Sequence, residues 1–520
     1  MRSHWGWGWA DRFPDAGARG RLGQLVSAVL GRPVDRPREP VPLAEAKLPA
    51  PRLSIPSALA PFCTQDPHAR ALHTWGRSYR DLVRGFTGDF SRAPDFVALP
   101  GDEESLERLL EWAVSQRVAV TPYGGGTSVV GGVECEVPEG YRGAISVDLA
   151  RIAGVVEIDP VSHAARIRAG TCGPEIERGL EGSGLTLRHY PQSFEFSTLG
   201  GWIATRAAGH YAAYLQHIDE RVESIRMLTP GGWWETRRLP GSGAGPDPNR
   251  LILGSEGTLG IVTEAWVRLV PRPVHRSRAT VRFDDFGAAC AAVREIVQAD
   301  LRPANCRVLD GGEAMLNQVD SGGKSVLLLA FESAHSPQAG ALAQAIEIAR
   351  AHGGRPDAPT GSADRGSEAW KAAFLEAPYL FNSLVSLGVV VDTFETACPW
   401  SHFEALHETV TTRLSRVLDE VAGGGLLTCR LTHAYPDGPA PYYTFLAAGR
   451  RGSEIEAWQA IKAAAAEAVL EAGGTMTHHH AVGRLHRDGW ARELPAPFRR
   501  ALEGARRAVD PDRILNPGLF

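Results

Sequence analysis

Three consecutive histidines, His478, His479 and His480, stand beside a glycine-containing turn in Thr475–Trp490 (TMTHHHAVGRLHRDGW). Imidazoles change charge near neutral pH, so such a run points to proton transfer at an active centre. If the segment is β-like, side chains alternate, and His478 and His480 are expected on one face with His479 on the other. A metal centre is the other chemistry open to these residues. Neighbours in sequence rarely chelate one ion together, and a facing carboxylate would be required, so no metal is expected.

Three glycine-rich segments offer a second kind of chemistry. In Tyr123–Gly132 (YGGGTSVVGG), Gly124, Gly125 and Gly126 permit positive φ and let backbone N–H groups approach an anion with no Cβ in the way. Thr127 and Ser128 add hydroxyls, and Pro122 and Gly131 flank the loop. The pattern is neither GxGxxG nor GK[ST], which argues against a Rossmann unit and a P-loop. Pro191–Gly201 (PQSFEFSTLGG) contributes Pro191, Ser193, Ser197, Thr198, Gly200 and Gly201, with Thr205 just beyond. Gly254–Glu264 (GSEGTLGIVTE) contributes Glu256, Gly257, Gly260 and Ile261. Three such loops suit a long, doubly charged dinucleotide better than a single phosphate.

The elements that must position these residues fall into blocks. Residues 1–91 hold an aromatic arm (Trp5, Trp7, Trp9), a helical segment and a Pro-rich connection, Arg32–Pro56; the arm is expected to pack on the protein's own surface. Residues 92–272 alternate strands (Asp95–Leu99, Val118–Pro122, Ala144–Asp148, Gly154–Ile158, Ala165–Ala169) with helices at Asp102–Arg117 and Cys172–Gly184. Residues 273–474 read as an antiparallel sheet covered by helices. Its strands are Arg278–Phe283, Ser325–Phe331, a long apolar Leu384–Phe394, Leu426–His433 and Tyr442–Ala447. Its helices are Phe286–Ala299, Pro337–His352, Trp400–Val421 and Ser453–Ala472. Residues 475–520 return with the histidines and the tail DPDRILNPGLF. The fold class is α+β, in two domains.

Composition narrows the function. A net charge of −5 leaves no basic surplus to neutralise phosphates, so no nucleic-acid partner is expected. Seven scattered cysteines without a CxxC pair suit a reducing cytoplasm. No apolar run approaches 18 residues and no signal-peptide core is visible, so any membrane contact would be peripheral. Cys398 reads as packing, since nothing nearby would depress its pKa.

The succession PYGGGTSVVGG, EFSTLGGWIATRAAG, LGSEGTLGIVTE and a terminal ILNPG resembles the FAD-binding fold of the vanillyl-alcohol oxidase and p-cresol methylhydroxylase superfamily. FETACPW, CRLTHAY, Tyr442–Phe445 and THHHAVG further resemble the alkylglycerone-phosphate synthase branch. The resemblance implies non-covalent FAD, held by the three loops and Asn516. It implies an antiparallel-sheet cap domain for a small-molecule or lipid substrate, and admits a homodimer. The activity implied is exchange of the acyl group of acyl-dihydroxyacetone phosphate for a long-chain alcohol, with the flavin as nucleophile and no net redox change. Tyr442 and the histidines would then move protons, and Arg206 would sit near flavin and substrate phosphate. Phe381 stands where that branch carries an arginine that steadies the departing carboxylate; Arg430 is a candidate replacement. The alternative is an FAD-dependent dehydrogenase or oxidase of 2-hydroxy acids or alcohols. Such enzymes usually show G(E/D)HG(I/V)G where this chain has HHHAVG.

Overall fold

The structure, a computed structural model, describes residues 1–211, 217–358 and 365–520. Two sheets lie in the first half. Strands Phe96–Ala98, Ala144–Asp148 and Ala119–Tyr123 pair in parallel, with Cys63–Thr64 antiparallel at one edge. Helix Glu103–Gln116 buries Leu106, Leu109, Leu110 and Ala113, the face its periodicity predicts, and Asp102 caps its first turn by accepting from Ser105 N. Parallel pairing puts the C-terminal ends of Ala119–Tyr123 and Ala144–Asp148 on one side, so the first glycine loop leaves from that edge. The tail docks beside this strand: Val120 N donates to Ile514 O at 2.7 Å and Asn516 N to Val120 O at 2.8 Å. The second sheet is antiparallel, in the order Val155–Asp159, Ala164–Arg168, Ile261–Arg268, Val222–Thr229, Gly232–Glu235.

The second half is a seven-stranded antiparallel sheet. Its order is Arg355–Pro356, His275–Phe283, Ser325–Ser333, Asn305–Leu309, Leu426–Ala434, Pro439–Ala448, Val389–Glu395. Helices Phe286–Gln298, Ala339–Ala351, Trp400–Ala422 and Glu454–Glu471 bury apolar stripes against it, and its core is continuous with Trp5, Trp7 and Phe86 of the first residues.

Three expectations change. The apolar run 384–394 is divided: Leu384–Ser386 end the helix Arg365–Ser386, Gly388 turns the chain at φ 68°, and the strand begins at Val389. Helix and strand are both buried there, so no alternation in the sequence marks the change. The helix expected at Cys172–Gly184 spans only Gly173–Gly179. The tryptophan arm is only partly at the surface; Trp9 is exposed there, but Trp5 and Trp7 enter the core at 6% and 8% exposure.

Candidate active site

Register across three neighbouring strands brings the site together. Arg430 pairs with Tyr442, and Tyr442 pairs with Glu395, so three strands place these residues in one row. Tyr443 points to the opposite face, against the helices, where its hydroxyl bonds His407 Nδ1 at 3.1 Å and its ring stacks on Phe394. Strand alternation thus selects Tyr442 over its neighbour for the histidine side.

Glu395, which the sequence did not single out, organises the histidine run. Its carboxylate accepts from His478 N at 2.6 Å, His479 N at 3.2 Å, His480 N at 2.9 Å and Thr477 Oγ1 at 2.6 Å. Three successive amides can reach one carboxylate only where the backbone bends. The segment is a bend rather than a strand, and the expected alternation of His479 against His478 and His480 does not hold. All three imidazoles gather instead: the His479 and His480 rings lie 5.9 and 5.5 Å from the Tyr442 ring. His478 Nε2 meets Tyr435 Oη at 2.7 Å and His217 Nε2 at 3.1 Å, and His478 Nδ1 meets His479 Nδ1 at 3.0 Å. His433 packs against His478 and His479.

Burial sets the charges. It lowers His479 to about 3 and His480 to about 4, and it depresses His478 and His433 well below the usual value, so the imidazoles are neutral at pH 7. Burial opposes the charge of Glu395 too, but the Thr477 hydroxyl and the three amides that donate to it outweigh burial and hold the carboxyl well below its ordinary range. Burial raises the Tyr442 phenol, which stays protonated and donates to Thr393 Oγ1 at 2.9 Å.

A second carboxylate pins this loop to the glycine-rich half. Glu256 accepts from Val482 N at 2.8 Å and Gly483 N at 2.9 Å, and Asn516 Nδ2 donates to the carbonyls of Glu256 and Gly132. Arg484 N and Leu485 N donate to Val130 O at 2.9 and 3.1 Å. The histidines are therefore carried on a joint between the glycine loops and the large sheet.

The glycine loops form a cradle that side chains would fill. A Cβ at Gly125 would lie 2.0 Å from Phe196 O, and one at Gly124 would lie 2.4 Å from Thr198 Oγ1. Gly126 has φ 67°, and its Cβ would strike the Tyr123 hydroxyl. The amides of Gly125, Gly126 and Thr127 have no acceptor among the described residues. Free amides beside a surface without side chains are what a pyrophosphate needs, so the residues fit FAD. Several expected ligands have structural partners. Ser128 Oγ accepts from Gly132 N, Ser197 Oγ from Trp202 Nε1, and Thr198 Oγ1 from Gly201 N as the cap of helix Leu199–Thr205. Thr205 Oγ1 donates to Gly201 O, and Ser193 O accepts from Phe196 N and Ser197 N. Gly131 and Gly257 take positive φ; Gly257 abuts Pro122, Gly200 abuts Ala169, and Gly260 packs on Met227 as it enters the strand begun by buried Ile261. Pro191 lines a cavity of about 330 Å³ between the two halves, with Tyr190, Arg188, His210, Asn305 and Trp370.

The expected substrate residues separate. Arg206, at φ 52° beyond that helix, gives its Nε to Asp219 at 2.8 Å. Arg430 is buried and paired with Glu313, while its guanidinium lies 3.8 Å from the Tyr442 ring centroid. Phe381 is half-buried in the apolar cluster around the first residues. Arg307, unremarked in the sequence, is fully buried beside Trp370. It donates to His210 O at 3.2 Å, and its Nε has no acceptor among the described residues. Burial lowers it to about 9, so it remains a cation.

Comparison with known proteins agrees with this geometry. Residues 94–236 match the FAD binding domain family, and residues 272–519 match the FAD linked oxidases, C-terminal domain. The alkyldihydroxyacetonephosphate synthase of Dictyostelium discoideum is 28% identical over 478 residues, covering 87% of this chain and 77% of that protein. That of Trypanosoma brucei brucei is 29% identical over 481 residues, with the same coverage. A solved alkyldihydroxyacetonephosphate synthase superposes with a TM-score of 0.83 at 25% identity, covering 99% of this chain and 98% of its own. With a pyrophosphate cradle in the glycine loops and a half-buried histidine cluster on the joint beside them, this chain is an FAD-dependent enzyme that carries an FAD binding domain and an FAD linked oxidases C-terminal domain.

Proposed function

We propose that the chain is an alkyldihydroxyacetonephosphate synthase: it exchanges the acyl group of an acyl-dihydroxyacetone phosphate for a long-chain alcohol. The observation that supports this best is the gathering of His478, His479 and His480 around Glu395 with Tyr442 alongside. An exchange of acid for alcohol needs protons moved both ways without a net change, and neutral imidazoles in mutual contact can accept and return them by switching tautomer. When bound, FAD supplies the nucleophile for the exchange and ends in its starting redox state.

The chain's own residues divide the remaining work. Glu395 fixes the bend, so that His479 and His480 face the phenol. Tyr442, kept protonated, holds a proton at its hydroxyl oxygen beside them. His478, between Tyr435 and His479, extends the path toward His217. Arg206 shares Asp219 with Arg250 and keeps a side chain 57% exposed, leaving one edge for the substrate phosphate. Arg430 is already neutralised by Glu313, so Arg307 is the better source of charge for the departing carboxylate that Phe381 cannot hold.

The test is an anaerobic incubation of the flavin-loaded protein with acyl-dihydroxyacetone phosphate and a long-chain alcohol, following the ether product by mass. Product without an electron acceptor is expected, and it should be lost in Arg307→Ala. No product, together with bleaching of the flavin by 2-hydroxy acids, would replace this reading with a dehydrogenase.

A further inference from the structure

The WGWGW arm has no part in the chemistry above, yet it reaches the cofactor cradle. Residues 2–9 fold back on themselves, with Arg2 bridged to Trp9 and Ser3 N donating to Gly8 O at 2.9 Å. One side of this strap is seated in the second half. Trp7 exchanges backbone hydrogen bonds with the Asn382 side chain at 2.8 and 3.0 Å, and Trp9 N donates to Tyr379 Oη at 3.3 Å. The intervening glycines are required by that seat. A Cβ at Gly6 would lie 2.8 Å from Asn382 Oδ1, and one at Gly8, where φ is 76°, would lie 2.4 Å from the Tyr379 ring. The other side touches the cradle. Trp9 Nε1 donates to Glu195 at 2.8 Å, and Arg2 lies over Phe196 at 5.0 Å while its Nη2 donates to Gly125 O at 2.8 Å.

Arg2 has a companion. Arg77 N donates to Ser128 O at 2.6 Å at the far end of the same glycine loop, and Arg77 Nη2 returns to Ser3 O of the strap at 3.5 Å. Both guanidiniums donate to backbone carbonyls rather than to carboxylates, and the Nε of each is buried without an acceptor among the described residues. Two cations without a carboxylate hydrogen bond thus flank a loop whose amides are free.

We propose that Arg2 is a positioning residue for the FAD pyrophosphate. By holding the Gly125 carbonyl it turns the Gly125–Gly126 peptide so that its N–H faces the phosphate, and with Arg77 it supplies a positive field there. The strap thereby makes cofactor retention depend on its seat in the second half.

The experiment compares Arg2→Ala, Arg2→Lys and Gly8→Ala with the unmodified full chain, each stripped of flavin and titrated with FAD and with riboflavin, which lacks phosphate. Loss of one charge-assisted hydrogen bond should weaken FAD binding about tenfold in Arg2→Ala and leave riboflavin binding unchanged. Arg2→Lys should fall between, and Gly8→Ala should repeat the FAD-specific loss by lifting the strap. The ³¹P resonances of FAD bound to Arg2→Ala should move. Unchanged FAD affinity with unmoved ³¹P resonances, or parallel losses for FAD and riboflavin, would overturn the proposal. Should Arg2→Ala not fold, Arg2→Lys and Gly8→Ala decide it by the same two ligands.

Discussion

Glu395 is a buried carboxylate whose acceptors are consumed by three amides and a hydroxyl, which makes it a framework for the histidines rather than an acid in its own right. In Glu395→Gln an N–H₂ group would face amides that are themselves donors, leaving at least one of them unsatisfied at a cost of about 1–3 kcal/mol. The bend would relax and the imidazoles would lose their common orientation. We expect FAD to remain bound with its visible spectrum intact while turnover falls by roughly two orders of magnitude, the scale of a lost acid–base arrangement. Turnover within a factor of two of the parent would show that the histidines do not depend on this anchor. The sequence announces these histidines because three in a row are rare. It contains Glu395 only as one letter of FETACPW, 83 residues away, and the residue's role is recognisable only once strand register sets it opposite Tyr442. Arg307 is illegible for the same reason: nothing local separates it from dozens of other arginines, and its burial with an Nε that lacks an acceptor among the described residues is a property of the folded neighbourhood.

Among the elements, the glycine loops were the most readable, because a positive φ and a missing Cβ leave an unmistakable residue type. Most of their hydroxyls, by contrast, read as ligands but cap or brace neighbouring groups, a use that residue type alone cannot separate from anion binding. The apolar run 384–394 reads as one strand because a buried helix end and a buried strand share the same composition. Gly125 carries the strongest consequence for the cradle. Its added methyl would meet the rigid carbonyl of Phe196 rather than a movable side chain. Gly125→Ala should therefore displace the loop at about 1–3 kcal/mol, weakening FAD binding roughly 5- to 150-fold while the stripped protein unfolds at nearly its normal temperature. Equilibrium dialysis against FAD measures the first and calorimetry the second. Unaltered FAD affinity would mean that the pyrophosphate does not lie on this loop.

For the molecule as a whole, the joint between the two halves is built from buried histidines and carboxylates, and this gives stability a definite dependence on pH. Burial holds His4, His480 and His486 at about 4 and His189 and His479 at about 3, against 6.5 when exposed. Between pH 6.5 and 4 the unfolded chain therefore binds more protons than the folded one at these sites, and stability drops as the pH falls through that window. Four carboxyls act in the opposite sense, Glu493 and Asp510 among them, which burial raises as well. Burial raises Glu256 to about 7 and Asp310 to about 6, so their folded forms take up protons first and gain stability on acidification. The histidines outnumber them, and each uncompensated group contributes up to about 1.4 kcal/mol per pH unit. The unfolding midpoint of the flavin-free protein should thus decline steadily from pH 6.5 to pH 4.5. His189 offers the cleanest dissection, since neither ring nitrogen has a hydrogen-bond partner among the described residues. His189→Leu removes one of the opposed groups without breaking a hydrogen bond, and the decline should become shallower by about the contribution of one proton. A midpoint that is flat or rises toward pH 4.5 in the parent would mean that these imidazoles are already protonated in the folded state. The neutral tautomer relay assigned to His478, His479 and His480 would then have to be abandoned as well.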